Sequence, residues 1–414
     1  MSNPRRINTY RPERRAFLKM LALMGAAGAL AGGELAALAA DVVELPFANG
    51  ARRVEAFPQK RPLLLLRTRP PLLETPMSVF NAGVFTANDA FYVRWHLADI
   101  PTEIDVDTYR VRVFGHVASP MDIYLSELVR GFAPFEIAAV NQCSGNSRGF
   151  FTPRVPGGEW GNGAMGNALW SGIRLKDLLA KAAPRAGARF VRFNGLDKGT
   201  QPNTPDFMKS LDIEHAMNGE VMIAYGMNHQ PLPMLNGFPL RLVVPGWFAT
   251  YWVKALTDIE VLEHPDDNFW MKSAYLVPDT PQASMKPGQA GVKMVPIGRM
   301  PPRSFITSLK DGDTVAAGRR VAVGGIAFGG DTGIARVMFS PDGGNNWHET
   351  DLENDYGKYS FRRFNTSFVP ASKGDAVLMV QAVNNDGLAQ PLQPNWNPGG
   401  YARNVVERTR IRVL

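Results

Sequence analysis

The chain has 414 residues, of which 45% are hydrophobic and 20% charged; these globular proportions predict two or three folded domains and exclude general disorder. The formal net charge is +7, but residues 1–39 carry +4 of it through Arg5, Arg6, Arg11, Arg14, Arg15 and Lys19 against Glu13 and Glu34. The small remainder, with no basic run interleaved with aromatics, argues against a nucleic-acid partner.

In chain order, the first element is an address. "RPERRAFLKMLALMGAAGALAGGELAALAADVV" joins a basic start to a short apolar run, Met20 to Leu30, and then to small residues. This is the three-part pattern of a bacterial export signal, with Ala37 and Ala39 fitting the cleavage rule and a mature start at Ala40. Arg14 and Arg15 followed by Phe17, Leu18 and Lys19 resemble a twin-arginine signal. That route exports folded proteins, many of which carry cofactors. The apolar run is too short to cross a bilayer. No other long apolar segment follows, so a periplasmic protein with no membrane span is expected.

Residues 40–80 are proline-rich and weakly periodic, and read as an extended arm. From 81 to 275 strands and short helices alternate, which predicts an α+β domain. "YRVRVFGHV" (109–117), "FEIAAVN" (135–141), "RFVRFNG" (189–195), "VMIAYGM" (221–227) and "LRLVVPG" (240–246) read as strands. "IRLKDLLAKAA" (173–183) has helical spacing, with Leu175, Leu178 and Leu179 on one face. Residues 276–303 hold Pro278, Pro281, Pro287, Pro296, Pro301 and Pro302, and read as a linker. The short strands and turn signals of 304–414 predict a β-sandwich.

Four segments could carry chemistry. "FYVRWHLADIP" (91–101) would place Arg94 and His96 on one face of a strand, a pairing suited to an anion. "NQCSGNSRG" holds Cys143, the single cysteine of the chain. One cysteine excludes an intrachain disulfide, a cysteine zinc cluster, a cysteine-held iron–sulfur cluster and attached haem. In a polar, glycine-rich loop its thiolate could be a nucleophile or a metal ligand, and a buried structural thiol is the alternative. "GEWGNGAMGNALWSGIRLKDLL" (158–179) has a glycine density suited to close backbone approach to a ligand. "LPMLNGFPLRLVVPGWFATYWVKAL" (232–256) carries Arg241 and Lys254 in apolar β-segments, where each needs a carboxylate or a bound anion.

Taken together, "RWH", "QCSGNSRG", "WGNGAMGNALWSGIRLKDLL", "AYGMNHQPLPMLNGFPLRLVVPGWFATYWVKAL" and "ARVMFSPDGGNNWHETDL" resemble, in order, motifs of the sulfite oxidase family of molybdenum enzymes. The resemblance covers residues 60 to 414. It implies a molybdopterin-binding α+β domain followed by an immunoglobulin-like dimerisation sandwich. Cys143 would ligate the molybdenum of the molybdopterin cofactor. His96, Asp197, Asn236, Arg241 and Lys254 would hold that cofactor. Arg94, Arg148 and Tyr275 would line an oxyanion pocket with Trp160 beside it.

This sequence departs from the family in three places. Asn236 stands where a histidine is usual, and a lysine expected just before Trp160 is not evident. An arginine of the family's C-terminal "WN" segment has no match in "WNPGGY", which leaves Arg403 as the nearby candidate. The activity implied is oxidation of sulfite to sulfate. With no haem in the chain, electrons would leave to an external c-type cytochrome, free or as a subunit, and a homodimer is implied by the sandwich. Two alternatives are a periplasmic methionine-sulfoxide reductase of the same superfamily, which would lack the sandwich, and a secreted binding protein without a metal.

Overall fold

The computed structural model describes residues 42–414. The expected signal segment, 1–39, lies outside the described residues.

The segment read as an extended arm is instead a paired sheet. Val42–Glu44, Ala51–Glu55, Leu63–Arg67 and Leu72–Glu74 form an antiparallel meander whose fifth strand is Val93–Arg94. Leu63, Leu73 and Val93 are buried there with Trp95 and Ala255. The prolines of this region fall at strand ends and turns, which left the apolar strands between them weakly patterned. The consequence is positional: Leu72 pairs with Arg94, so this sheet sets where Arg94 stands.

Two further sheets build the α+β domain. One runs Lys209–Asp212, Phe190–Gly195, Leu256–Leu262, Arg110–Gly115 and Met121–Tyr124. In it Val111 and Val113 are buried while Arg110 and Arg112 are exposed, as a two-residue period requires. The other joins Gln230–Pro231, Met222–Met227, Met165–Arg174 and Pro134–Gln142, with Arg241–Val243 paired to Met222–Met227. The strand Pro134–Gln142 starts at the surface and has five consecutive buried residues at its end, so it delivers Cys143 into the interior. The predicted helix is Leu175–Ala182, with Leu175, Leu178, Leu179 and Ala182 buried. Among the described residues no helix is long and apolar enough to cross a membrane.

Residues 276–303, expected as a linker, are packed rather than free. Leu276–Pro278 pairs with Met294–Pro296, and Ile297, Met300 and Arg303 are buried. Pro278 and Pro296 end the two strands of this ribbon, where a missing N–H is tolerated. The sandwich follows. One sheet orders Arg303–Ile306, Val321–Phe328, Arg362–Phe368 and Asp351–Leu352; the facing sheet orders Thr314–Val315, Arg408–Val413, Gly374–Asn384, Ile334–Ser340 and His348–Glu349. Val323, Phe339, Phe364, Leu378 and Val380 fill the space between them. Phe305, Ile326, Phe328, Tyr359 and Phe361 of the sandwich instead join the large core of the α+β domain. The two domains therefore share a hydrophobic interior.

Candidate active site

Cys143 lies in the turn after Pro134–Gln142, and the loop is pinned by polar bonds. The Cys143 N–H donates to Ala164 O at 2.9 Å, and Asn146 N donates back to Cys143 O at 3.0 Å. Ser147 takes a left-handed conformation, φ 70°, which turns the chain toward Arg148.

A cleft beside Cys143 gathers Arg94, His96, Asn236, Arg241, Lys254 and Tyr275 in its lining, together with Tyr92, Asn141, Ser144 and Thr250. Arg94 and His96 reach it as the period-two reading expects, although the regular strand covers only Val93–Arg94. Arg94 donates to Trp95 O at 2.9 Å and to the Tyr275 hydroxyl at 2.8 Å. Tyr275 is held at φ 58°, an unusual conformation for an aromatic residue. His96 stacks on Phe207 with ring centroids 3.4 Å apart, and burial first, then Arg94, Lys254 and Lys209, keep it neutral.

Arg241 and Lys254 face each other in an antiparallel bridge. Like charges directly opposite across strands repel. Arg241 donates to Asn236 O at 3.0 Å and Asn141 Oδ1 at 3.2 Å, and meets no carboxylate among the described residues. Burial lowers its pKa to about 10. Burial, then Arg241, pushes Lys254 down to about 7, against the pull of Asp197. Asp197 is buried, and desolvation raises its pKa although Lys254 and the Leu97 N–H oppose this. One carboxylate therefore stands near several converging cations.

Five buried polar atoms that line this cleft bond to nothing: His96 Nε2, Asn141 Nδ2, Ser144 Oγ, Arg241 Nε and Thr250 Oγ1. Unpaired buried polar atoms are rare in folded proteins, and five in one cleft, the Asn141 amide and Arg241 guanidinium donors among them, mark the place of a polar ligand. The fit to a molybdopterin is direct: donors for its phosphate and pterin edge, and one thiolate for its metal. Among the described residues no group of three or more His, Cys, Asp or Glu side chains could hold a metal alone. Cys143 would be the one protein thiolate available to a cofactor that brings its own sulfur ligands.

Several expected roles shift. Both ends of the Asn236 amide are committed to protein: Oδ1 accepts from the buried Lys60 ammonium, and Nδ2 donates to Tyr92 O at 3.0 Å. Asn236 shapes the wall and keeps one amide N–H not used by the protein. Lys60 also donates to Asn88 O and Phe91 O. Arg148 stands behind the cysteine loop, donating to Gly399 O at 3.2 and 3.1 Å and to Gly158 O at 3.2 Å. A Cβ at Gly145 would lie 2.5 Å from its guanidinium, so this glycine makes room for the arginine. Trp160 is one layer back, edge-on to Tyr92 at 6.4 Å. Arg403 pairs with Glu407 and lies 5.0 Å over Phe150, away from the cleft lining. The glycines of 158–163 approach protein rather than ligand: Gly161 and Gly163 donate to the buried carboxylate of Glu74, each at 2.8 Å. Asn141, Ser144, Thr250, Lys60 and Tyr401 escaped the sequence reading. Only Asn141 and Ser144, as polar neighbours of Cys143, left a signal.

Residues 97–270 match the oxidoreductase molybdopterin binding domain, and residues 295–414 match the Mo-co oxidoreductase dimerisation domain. Mitochondrial sulfite oxidase of Rattus norvegicus is 32% identical over 378 residues, covering 86% of this chain and 67% of that protein. The chain belongs to the sulfite oxidase family. Sulfite oxidase of Arabidopsis thaliana is 30% identical over 395 residues, covering 89% of this chain and 99% of that one. In fold, the sulfane dehydrogenase SoxCD of Paracoccus pantotrophus superposes with a TM-score of 0.69 at 21% identity, covering 93% of this chain and 94% of that chain. This sulfite oxidase family member is thus a molybdenum-dependent oxidoreductase that uses the molybdopterin cofactor.

Proposed function

We propose that this family member is an exported sulfite dehydrogenase that oxidises sulfite to sulfate and passes electrons singly to an external c-type cytochrome. The observation that carries the reading is Arg94. Its guanidinium lies in the Cys143 cleft, bonded to a carbonyl and to Tyr275, with no carboxylate partner among the described residues. A small oxyanion supplies that partner.

When bound, the molybdenum cofactor supplies the two-electron redox couple and the oxygen transfer. The chain's residues recruit and orient the substrate. Arg94 attracts the sulfite charge, and Arg148 adds its positive field from behind the cysteine loop. Tyr275 accepts from Arg94, which leaves its own proton to donate to a sulfite oxygen. Burial raises the Tyr275 pKa and keeps that proton in place. In balance, sulfite and water give sulfate, two protons and two electrons. The paired arginines of the N-terminus support export to the periplasm by the twin-arginine route, and the match of residues 295–414 to a dimerisation domain supports a homodimer or a partner subunit.

The test is turnover by purified, molybdenum-loaded protein. Sulfite should reduce cytochrome c, and methionine sulfoxide should not be consumed under a reducing dye. Failure to oxidise sulfite with cytochrome c or ferricyanide present rejects the proposal.

A further inference from the structure

The loop Asn395–Ala402 leaves the sandwich and lies on the cysteine loop. Ala402 N donates to Ser144 O at 3.0 Å, one residue after Cys143, and Gly399 O receives two bonds from Arg148. Gly400 and Ala402 both take left-handed conformations, with φ 60° and 57°. A Cβ at Gly400 would meet Val155 at 2.5 Å and Arg148 Cγ at 2.8 Å, so only glycine lets the loop come this close. Asn397 locks the turn, accepting from Tyr401 N at 3.0 Å and donating to Tyr401 O at 2.9 Å.

The loop's purpose is visible in what it presents. The Tyr401 ring stacks on Tyr275 with centroids 5.3 Å apart and planes 23° from parallel. Its other neighbour is the Arg148 guanidinium, 5.0 Å from the ring centroid. Arg94, Tyr275, Tyr401 and Arg148 therefore form one ladder of cation, phenol, phenol and cation. The Tyr401 hydroxyl makes no hydrogen bond to the protein among the described residues, whereas the Tyr275 hydroxyl is already fixed by Arg94. Burial raises the Tyr401 pKa, and Arg148, Arg94 and Cys143 all lie within electrostatic reach of its oxygen. A neutral donor stacked on Tyr275 serves an anion bound at Arg94.

We propose that Tyr401, supplied by the C-terminal sandwich, is an anion-binding and specificity-determining residue whose free hydroxyl donates to the oxyanion bound at Arg94 and Tyr275. The inference rests on the oxyanion reading of this site, and its test separates the two. Tyr401→Phe keeps the ring, the stack and the cation contact while removing the donor. In the molybdenum-loaded enzyme it should raise the sulfite KM by about tenfold, the range of one hydrogen bond to a charged group, and change kcat by less than about twofold.

Inorganic sulfate, titrated calorimetrically into the same holoenzymes, should show a matching loss of affinity without any turnover. Unaltered sulfate affinity in Tyr401→Phe, or no sulfate binding by the parent enzyme, overturns the assignment. Parent enzyme that binds sulfate through Tyr401 but oxidises no sulfite overturns the dehydrogenase reading alone. An unchanged melting temperature for Tyr401→Phe confirms that the loss belongs to the hydroxyl. Tyr401→Ala should lower the melting temperature as well, because it also removes the stack.

Discussion

Arg303 opens the sandwich, yet its Nη1 donates at 3.2 Å to Oε1 of Gln142, the residue before Cys143. Its Nη2 donates to Ser147 Oγ at 3.0 Å and to Glu407 Oε1 at 3.1 Å. One buried guanidinium thus grips both ends of the cysteine loop and ties them to Glu407, the residue before the last strand of the sandwich. Burial lowers its pKa to about 10, with Glu407 as the opposing influence.

Arg303→Met should therefore damage more than the sandwich. Removing one member of a buried ion pair costs about 3–5 kcal/mol, lessened here because Arg403 still pairs with Glu407. Chemical denaturation should show a loss of that order, and metal analysis should show molybdenum content falling with it. A variant of wild-type stability would remove Arg303 from this role.

Cys143→Ser should abolish sulfite-dependent reduction of cytochrome c. The replacement is nearly isosteric in a buried turn, so the melting midpoint of cofactor-free protein should move by less than about 1 kcal/mol in equivalent stability. Residual turnover above a few per cent of wild type would mean that the thiolate does not hold the metal.

Arg94→Gln should raise the sulfite KM roughly tenfold to a hundredfold, the span of a charge-assisted hydrogen bond, with a smaller effect on kcat. Arg148→Gln should raise KM less, because its guanidinium reaches the cleft only through its field, and should lose about 1–3 kcal/mol of stability, because it strands the Gly399 and Gly158 carbonyls. Steady-state kinetics beside thermal melts would separate the two variants. Equal stabilities would contradict the anchoring role of Arg148.

Lys60 and Lys209 are each pushed from 10.5 to about 7 by burial. Between those values the unfolded chain binds protons that the folded chain has released, so these two groups make stability rise as pH increases across that window. Calorimetry of cofactor-free protein should find a shallower rise for Lys60→Met than for wild type between pH 7 and about 9. Parallel curves would show that Lys60 keeps an ordinary pKa.

Much of this site could be read from the chain because its chemistry is local. The buried strand ending at Cys143 and the alternation of Arg94 and His96 are short-range signals. Arg241 and Lys254 also stood out as cations in apolar β-segments, and the requirement for a partner was correctly posed. The partner itself was not legible: Asp197 opposes the charge of Lys254, and Arg241 meets carbonyl oxygens but no carboxylate among the described residues. Glycine spacing showed that something comes close without showing what, and at 161 and 163 it is Glu74. Lys60 and Tyr401 were invisible because each acts on a residue far along the chain, Lys60 on Asn236 and Tyr401 on Tyr275. Prolines misled twice, at 40–80 and 276–303, since they mark ribbon edges as readily as free segments.

The carbonyl that anchors Arg148 belongs to Gly399, 251 residues further along. During synthesis the cysteine loop therefore leaves the ribosome long before its clamp exists. A nascent chain arrested before the sandwich would hold Cys143 in a half-built pocket, with Arg148 free to swing into water. Loading of the metal centre should accordingly follow release of the polypeptide, and a stalled fragment ending near residue 300 should be a poor acceptor for it.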